Sequence, residues 1–175
     1  TIAIAQQVQP YELIAICDPE LLQQRATALD LPLAITPFDA SKTNRVSRSG
    51  EITVISSSLK APVTPGLLDT RNANYVLNTL DLAIAGCQNG SLDAMITGPV
   101  QKSVINEAGI TFSGHTEYLA EKTQTKQVVM MLATEGLRVT LATTHLPLRE
   151  IADTLTPTLL HDILHIVNHD LQTVF

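Results

Sequence analysis

Apolar residues fall along the chain in short blocks separated by polar, Gly- and Pro-marked stretches. Residues 12–18 (ELIAICD) form a β-rich run ending in Asp-Pro, which predicts a buried strand leading into a helix start. Residues 19–30 carry Leu21, Leu22 and Ala26 at helical spacing, and residues 33–35 and 52–56 read as two further short strands. Between them, residues 39–50 are polar and predict a surface loop or hairpin. Pro62 and Pro65-Gly66 mark a turn, after which 70–87 reads as a long helix ended by Asn89-Gly90. Residues 94–96 predict a strand entering Thr97-Gly98-Pro99, followed by a short helix over 102–107 and a loop at Ser113-Gly114-His115-Thr116-Glu117. A helix then runs to about residue 123. Residues 128–133 and 138–143 read as strands, a hairpin around Glu135-Gly136, and 157–175 as a closing helix. Strands alternating with helices predict an α/β fold, a mostly parallel sheet with helices on both faces.

Composition narrows the class. A length of 175 residues suits one domain or a piece of a larger two-domain protein, and 45% apolar with 16% charged residues is an ordinary globular balance. Aromatics make up only 3%, so the core is expected to be Leu, Ile, Val and Ala from helices on a buried sheet. The net charge of −6, without a Lys/Arg block, argues against nucleic acid as a partner; an anionic ligand would have to be held by a local cluster. Cys17 and Cys87 lie far apart with no CxxC, and two reduced thiols in a cytoplasmic protein are expected rather than a disulfide. No apolar run approaches the roughly 18 residues of a membrane span, so no membrane partner is expected. The chain opens at Thr1 without Met or a signal-peptide pattern, and residues are expected to be missing from its front.

Four segments carry candidate chemistry, and no GxGxxG or GxxxxGK[ST] is among them, so the pattern alone does not suggest a dinucleotide. Thr97-Gly98-Pro99-Val100 follows a predicted strand, where open α/β sheets place ligands, with Lys102 near enough to add positive charge; taken alone, the segment reads more readily as a tight strand-to-helix turn. Ser113-Gly114-His115-Thr116-Glu117 precedes a predicted helix whose free N–H groups suit an anion, or else Ser113 or Thr116 is simply a helix cap. Thr143-Thr144-His145-Leu146-Pro147 sets a His at the end of a predicted strand, a rigid ligand position, although one His is far from the three ligands of a catalytic metal site. His161-Asp162-Ile163-Leu164-His165 imitates the zinc-protease HExxH. At about 100° per residue, however, Leu160, Ile163, Val167, Leu171 and Val174 gather on one side and His161, His165 and His169 on the other, which reads as a solvated face.

Taken together, these segments resemble the 4-hydroxythreonine-4-phosphate dehydrogenase family. The matching stretches are Ile96-Thr97-Gly98-Pro99-Val100 with Lys102, residues 104–110 (VINEAGI), 113–117, 128–134 (VVMMLAT) and 141–148 (LATTHLPL), in order and at the right spacing. The resemblance runs from about Tyr11 to Phe175 and is weakest over 39–50. It implies an isopropylmalate dehydrogenase-like fold of two α/β domains, of which 1–175 would be an incomplete fragment with an uncertain internal boundary. It also implies an active site in a cleft at a homodimer interface. The implied reaction is NAD-dependent oxidation of 4-phosphooxy-L-threonine to 2-amino-3-oxo-4-phosphooxybutyrate. That product decarboxylates to 3-amino-2-oxopropyl phosphate, in pyridoxal 5'-phosphate biosynthesis.

The resemblance also implies a divalent metal (zinc, magnesium or cobalt) on three histidines, with His145 the first of them, and substrate contacts from His115 and Thr116. Such a cation would lower the pKa of the substrate hydroxyl and then polarise the new ketone. The family's opening strand with its Gly-x-Pro-Ala-Gly-Ile-Gly segment is absent. So are its Asn-Pro-His-Ala-Gly and His-Asp-Gln-Gly motifs, which hold the other two metal histidines. The fragment alone is therefore expected to be inactive. The rival readings are a paralogue acting on another phosphorylated four-carbon hydroxy acid, a non-catalytic binding fragment, and, more distantly, a zinc peptidase through His161 and His165.

Overall fold

The structure, a computed structural model, describes residues 1–41 and 46–173. Positions 42–45 of the expected polar loop, and the last two positions of the expected closing helix, lie outside the described residues. The chain divides into two compact units, Thr1–Tyr118 and Leu119–Phe175.

The first unit contains α1 (Ile2–Ala5), β1 (Ile14–Cys17), α2 (Pro19–Ala28), β2 (Ala34–Pro37), β3 (Glu51–Ser56), α3 (Ala73–Gln88) and α4 (Lys102–Glu107). All three strands run parallel in the order β1-β3-β2, so β3 takes hydrogen bonds on both sides. The period of two is visible in β3, where Ile52 and Val54 are buried, and Ala15 of β1 pairs with Val54 on the same face. Ile2 and Ala5 of α1 and Leu22 and Ala26 of α2 cover that face. The Asp-Pro signal works as expected: Pro19 opens α2 and the Asp18 side chain accepts hydrogen bonds from the N–H of Glu20 (2.9 Å) and Leu21 (3.0 Å). The second carboxylate oxygen of Asp18 accepts from Leu59 N–H (3.0 Å), and Asp18 N–H donates to the Tyr75 hydroxyl (3.0 Å), which ties β1, α2 and α3 together.

A second core forms where Ala73, Leu77 and Leu80 of α3 meet Ile105 of α4 and Phe112. Ahead of α3, a 3-10 turn over Thr70–Asn72 buries the Asn72 side chain. Its carbonyl accepts from Lys60 N–H (3.1 Å) and Ala61 N–H (3.0 Å), and its amide donates to Ala61 C=O (2.9 Å). The strand expected over 94–96 does not form. A strand exists only through a ladder, and among the described residues 91–100 pair with none, leaving Ile96 91% exposed.

The second unit holds β4 (Met130–Thr134) and β5 (Leu137–Leu141), antiparallel and turning through Glu135-Gly136 as expected, then α6 (Leu148–Thr154) and α7 (Pro157–Thr173). These two strands form a sheet of their own, so the parallel sheet has three strands among the described residues. Between Leu119 and the hairpin, the first residues of this unit belong to α5 (His115–Thr123). In α7 only Ile163 is buried, with Leu159, Ile166, Val167 and Leu171 half-buried; Leu160, expected inside, is exposed because the buried stripe lies one position round the helix. Among the described residues no helix is long and apolar enough to cross a membrane. Cys17 and Cys87 are free thiols.

Candidate functional site

The expected substrate loop is built by α4 and the residues that follow it. Gly109, at φ +82°, takes the left-handed position that ends α4, where any other residue would be strained. The chain then folds back, and Asn106 fixes the return. Its side-chain carbonyl accepts from Phe112 N–H (2.9 Å), while its amide donates to Phe112 C=O (3.1 Å) and to Lys102 C=O (3.0 Å). One side chain thus joins the start of α4 to the residue just before Ser113-Gly114-His115-Thr116-Glu117.

Phe112 is buried and acts as a strut. Its ring stands edge-on to His115, with centroids 6.1 Å apart and planes at 84°, and lies 5.6 Å from that of Tyr118. The Tyr118 hydroxyl donates to Asp81 of α3 (2.7 Å), which anchors the first turn of α5 to the unit. His115 and Thr116 are half-buried in that turn. Nε2 of His115 is buried and has no hydrogen-bond partner, a costly state that a native site resolves with a ligand or water. The first bond of the helix joins Tyr118 N–H to Gly114 C=O (3.1 Å), so the N–H groups ahead of it lie outside the helical ladder. Among the described residues neither Ser113 nor Thr116 caps α5 with its hydroxyl; Thr116 sits inside the first turn, beyond the capping position.

His115 also lines a groove of about 940 Å³, whose walls include β1, part of α3 and residues 91–100. Thr97-Gly98-Pro99-Val100 forms part of that wall as irregular chain, not as a turn out of a strand. Cys17 faces the same groove, but burial, helped by the neighbouring Asp18 charge, pushes its thiol up to about 11, so it is no nucleophile at neutral pH. Burial alone would raise the Asp18 carboxyl; the backbone N–H donors from Leu59, Leu21 and Glu20 outweigh it and hold the group below its ordinary range.

His145 belongs to the second unit. β5 ends at Leu141, two residues earlier than expected, so His145 sits exposed in the β5–α6 connection and not on the strand's tip. Its φ of +57° lies in the left-handed region, uncommon for a residue other than glycine and costing on the order of 1 kcal/mol. Among the described residues no group of three or more His, Cys, Asp or Glu is placed to hold a metal, so this chain offers at most a partial site. His161 and His165 stack in parallel 6.4 Å apart on α7, exposed, with His161 beside Asp162 at 3.5 Å, and no third donor joins them.

Asn106, Phe112 and Gly114 matter to this geometry and were not singled out from sequence as single residues. The one signal that could have marked Phe112 is scarcity, since the chain has only three phenylalanines.

The family described as "Pyridoxal phosphate biosynthetic protein PdxA" matches residues 9–175. A 4-hydroxythreonine-4-phosphate dehydrogenase of Citrobacter koseri is 49% identical over 174 residues, 99% of this chain and 53% of that protein. Its counterpart in Salmonella arizonae is 51% identical over 174 residues, with the same coverage. The crystal structure of 4-hydroxythreonine-4-phosphate dehydrogenase from Klebsiella pneumoniae matches with a TM-score of 0.81 at 27% identity, over 91% of this chain and 49% of that one. The chain therefore spans about half the length of the relatives it matches.

Proposed function

Because this chain belongs to the family of pyridoxal phosphate biosynthetic protein PdxA, we propose that it is part of an NAD-dependent dehydrogenase that oxidises 4-phosphooxy-L-threonine. In this reading 1–175 is one portion of a larger, two-domain, isopropylmalate dehydrogenase-like enzyme that works as a homodimer. The product 2-amino-3-oxo-4-phosphooxybutyrate loses carbon dioxide to give 3-amino-2-oxopropyl phosphate. The observation that carries the reading is the family match over 9–175, at about half identity to two dehydrogenases of that name.

Within the chain, His115 and Thr116 are the proposed substrate contacts. Phe112 and Asn106 hold the loop, and the unpartnered Nε2 of His115 is available to a substrate oxygen. His145 is the proposed metal ligand of this portion. The described residues do not complete a metal site, and no glycine fingerprint marks a nucleotide site. A bound divalent cation would supply charge stabilisation at the reacting oxygen. The residues present bind and orient: the first turn of α5 offers N–H groups, a hydroxyl and an imidazole to a polar, anionic guest.

The experiment is turnover by the full-length enzyme. NAD reduction should depend on 4-phosphooxy-L-threonine, fall on chelation, and exceed that with 4-phospho-threonate or 4-phospho-erythronate. Preference for either of the latter would make the enzyme a paralogue of different specificity. Metal-independent inertness toward all three would leave a binding protein.

A further inference from the structure

We propose that Lys102 is the residue of this chain that holds the phosphate of the substrate, reaching across Gly114 to the first turn of α5. The inference rests on the reading above, which supplies a phosphate monoester as ligand.

Three observations carry it. First, the Asn106 amide bonds the carbonyls of both Lys102 and Phe112, so the start of α4 and the 113–117 loop are held side by side. Second, Gly114 is buried, and a Cβ there would lie 3.3 Å from Lys102 Nζ, 3.6 Å from its Cε and 2.9 Å from Glu117 Oε2. The backbone of Gly114 does not lie in the left-handed region, so its conformation does not require glycine; the missing side chain is what lets the ammonium sit against the loop. Third, the buried Nε2 of His115, one residue on, has no hydrogen-bond partner and requires one.

Lysine suits the task. Its ammonium is a point charge on a flexible stem, able to follow a ligand, and Lys102 is exposed at the helix start. Among the described residues no carboxylate forms an ion pair with it. Glu117 Oε2 borders the same space beside Gly114, and its charge attracts the ammonium toward the loop. A cation, the free N–H groups of a nine-residue helix and the Thr116 hydroxyl together match the oxygens of a phosphate monoester. In a chain of net charge −6 Lys102 is the local positive charge that an anionic substrate needs.

The test uses the full-length enzyme with Lys102→Met and Lys102→Arg. For Lys102→Met the KM for the phosphorylated substrate should rise roughly 10- to 100-fold, the loss of one charged hydrogen bond, with kcat and the KM for NAD little changed. Inhibition by inorganic phosphate, used as the probe, should weaken by a similar factor, and Lys102→Arg should retain most of both. Thermal stability should not change, because the side chain is exposed. An unchanged KM, a loss confined to kcat, or a raised KM with phosphate inhibition intact would each overturn the assignment. Failure of the wild-type enzyme to oxidise the substrate would instead overturn the proposed function.

Discussion

Asn106→Ala is the perturbation that most directly tests how the substrate loop is held. The side chain makes three hydrogen bonds of 2.9–3.1 Å, all to backbone groups, and no other side chain bridges Lys102 to Phe112 among those described. A typical hydrogen bond contributes about 0.5–1.5 kcal/mol net, and once the amide is gone water can reach the exposed Lys102 carbonyl freely and the half-buried Phe112 groups in part. The expected destabilisation is therefore about 2–3 kcal/mol, read as a shift in the urea unfolding midpoint at unchanged slope. Asn106→Asp should be no better: it keeps the acceptor for Phe112 N–H but turns a carboxylate oxygen toward the carbonyls of Lys102 and Phe112. Because Phe112 braces His115, the KM for substrate should rise in the same variants. A cost below about 0.5 kcal/mol, or full loss of stability with no change in KM, would show that the loop is held by something else.

In the full-length enzyme, His145→Ala should nearly abolish activity and weaken metal binding measured by titration, whereas His161→Ala or His165→Ala, on the exposed face of α7, should leave both almost unchanged; the opposite pattern would move the metal to α7. His145→Gly should lose metal equally yet raise stability by on the order of 1 kcal/mol, since glycine adopts the φ of +57° without strain. Thr116→Ala should raise KM with an unchanged melting temperature, because Thr116 does not cap α5; a lowered melting temperature at constant KM would restore the capping role. Asp18, whose folded pKa is depressed, contributes stability that is present above its ordinary value of 3.8 and lost as pH falls through the folded value; Asp18→Ala should flatten that acid limb in a pH series of melts and cost about 1 kcal/mol for the cap at neutral pH. The 175-residue chain alone should show no metal-dependent NAD reduction, and robust turnover by it would reopen the site assignment.

What the sequence determined by itself was what local physics determines. Asp18-Pro19 specifies a helix start through a side-chain acceptor two and three residues ahead, and α2 begins there. Glu135-Gly136 between two apolar runs specifies a hairpin, and the helices over 102–107 and from about 115 follow from spacing and punctuation. The ordered motifs were enough to identify the family, because chemical residue types at fixed spacing survive without coordinates. Tertiary structure decided the rest. Residues 94–96 have strand composition, yet without a neighbouring ladder they remain an irregular wall of the groove. The buried side of α7 depends on what packs against it, which is why Leu159 and Ile166 turn inward and Leu160 outward. Asn106 and Phe112 carry no local signature, since their roles exist only once the chain has folded back on α4. Gly114 looks like an ordinary loop glycine until Lys102 and Glu117 are seen to crowd the space a side chain would take. Propensity and capping act over a few residues and can be read from order alone; steric room and cross-chain hydrogen bonds require knowing which distant residues meet.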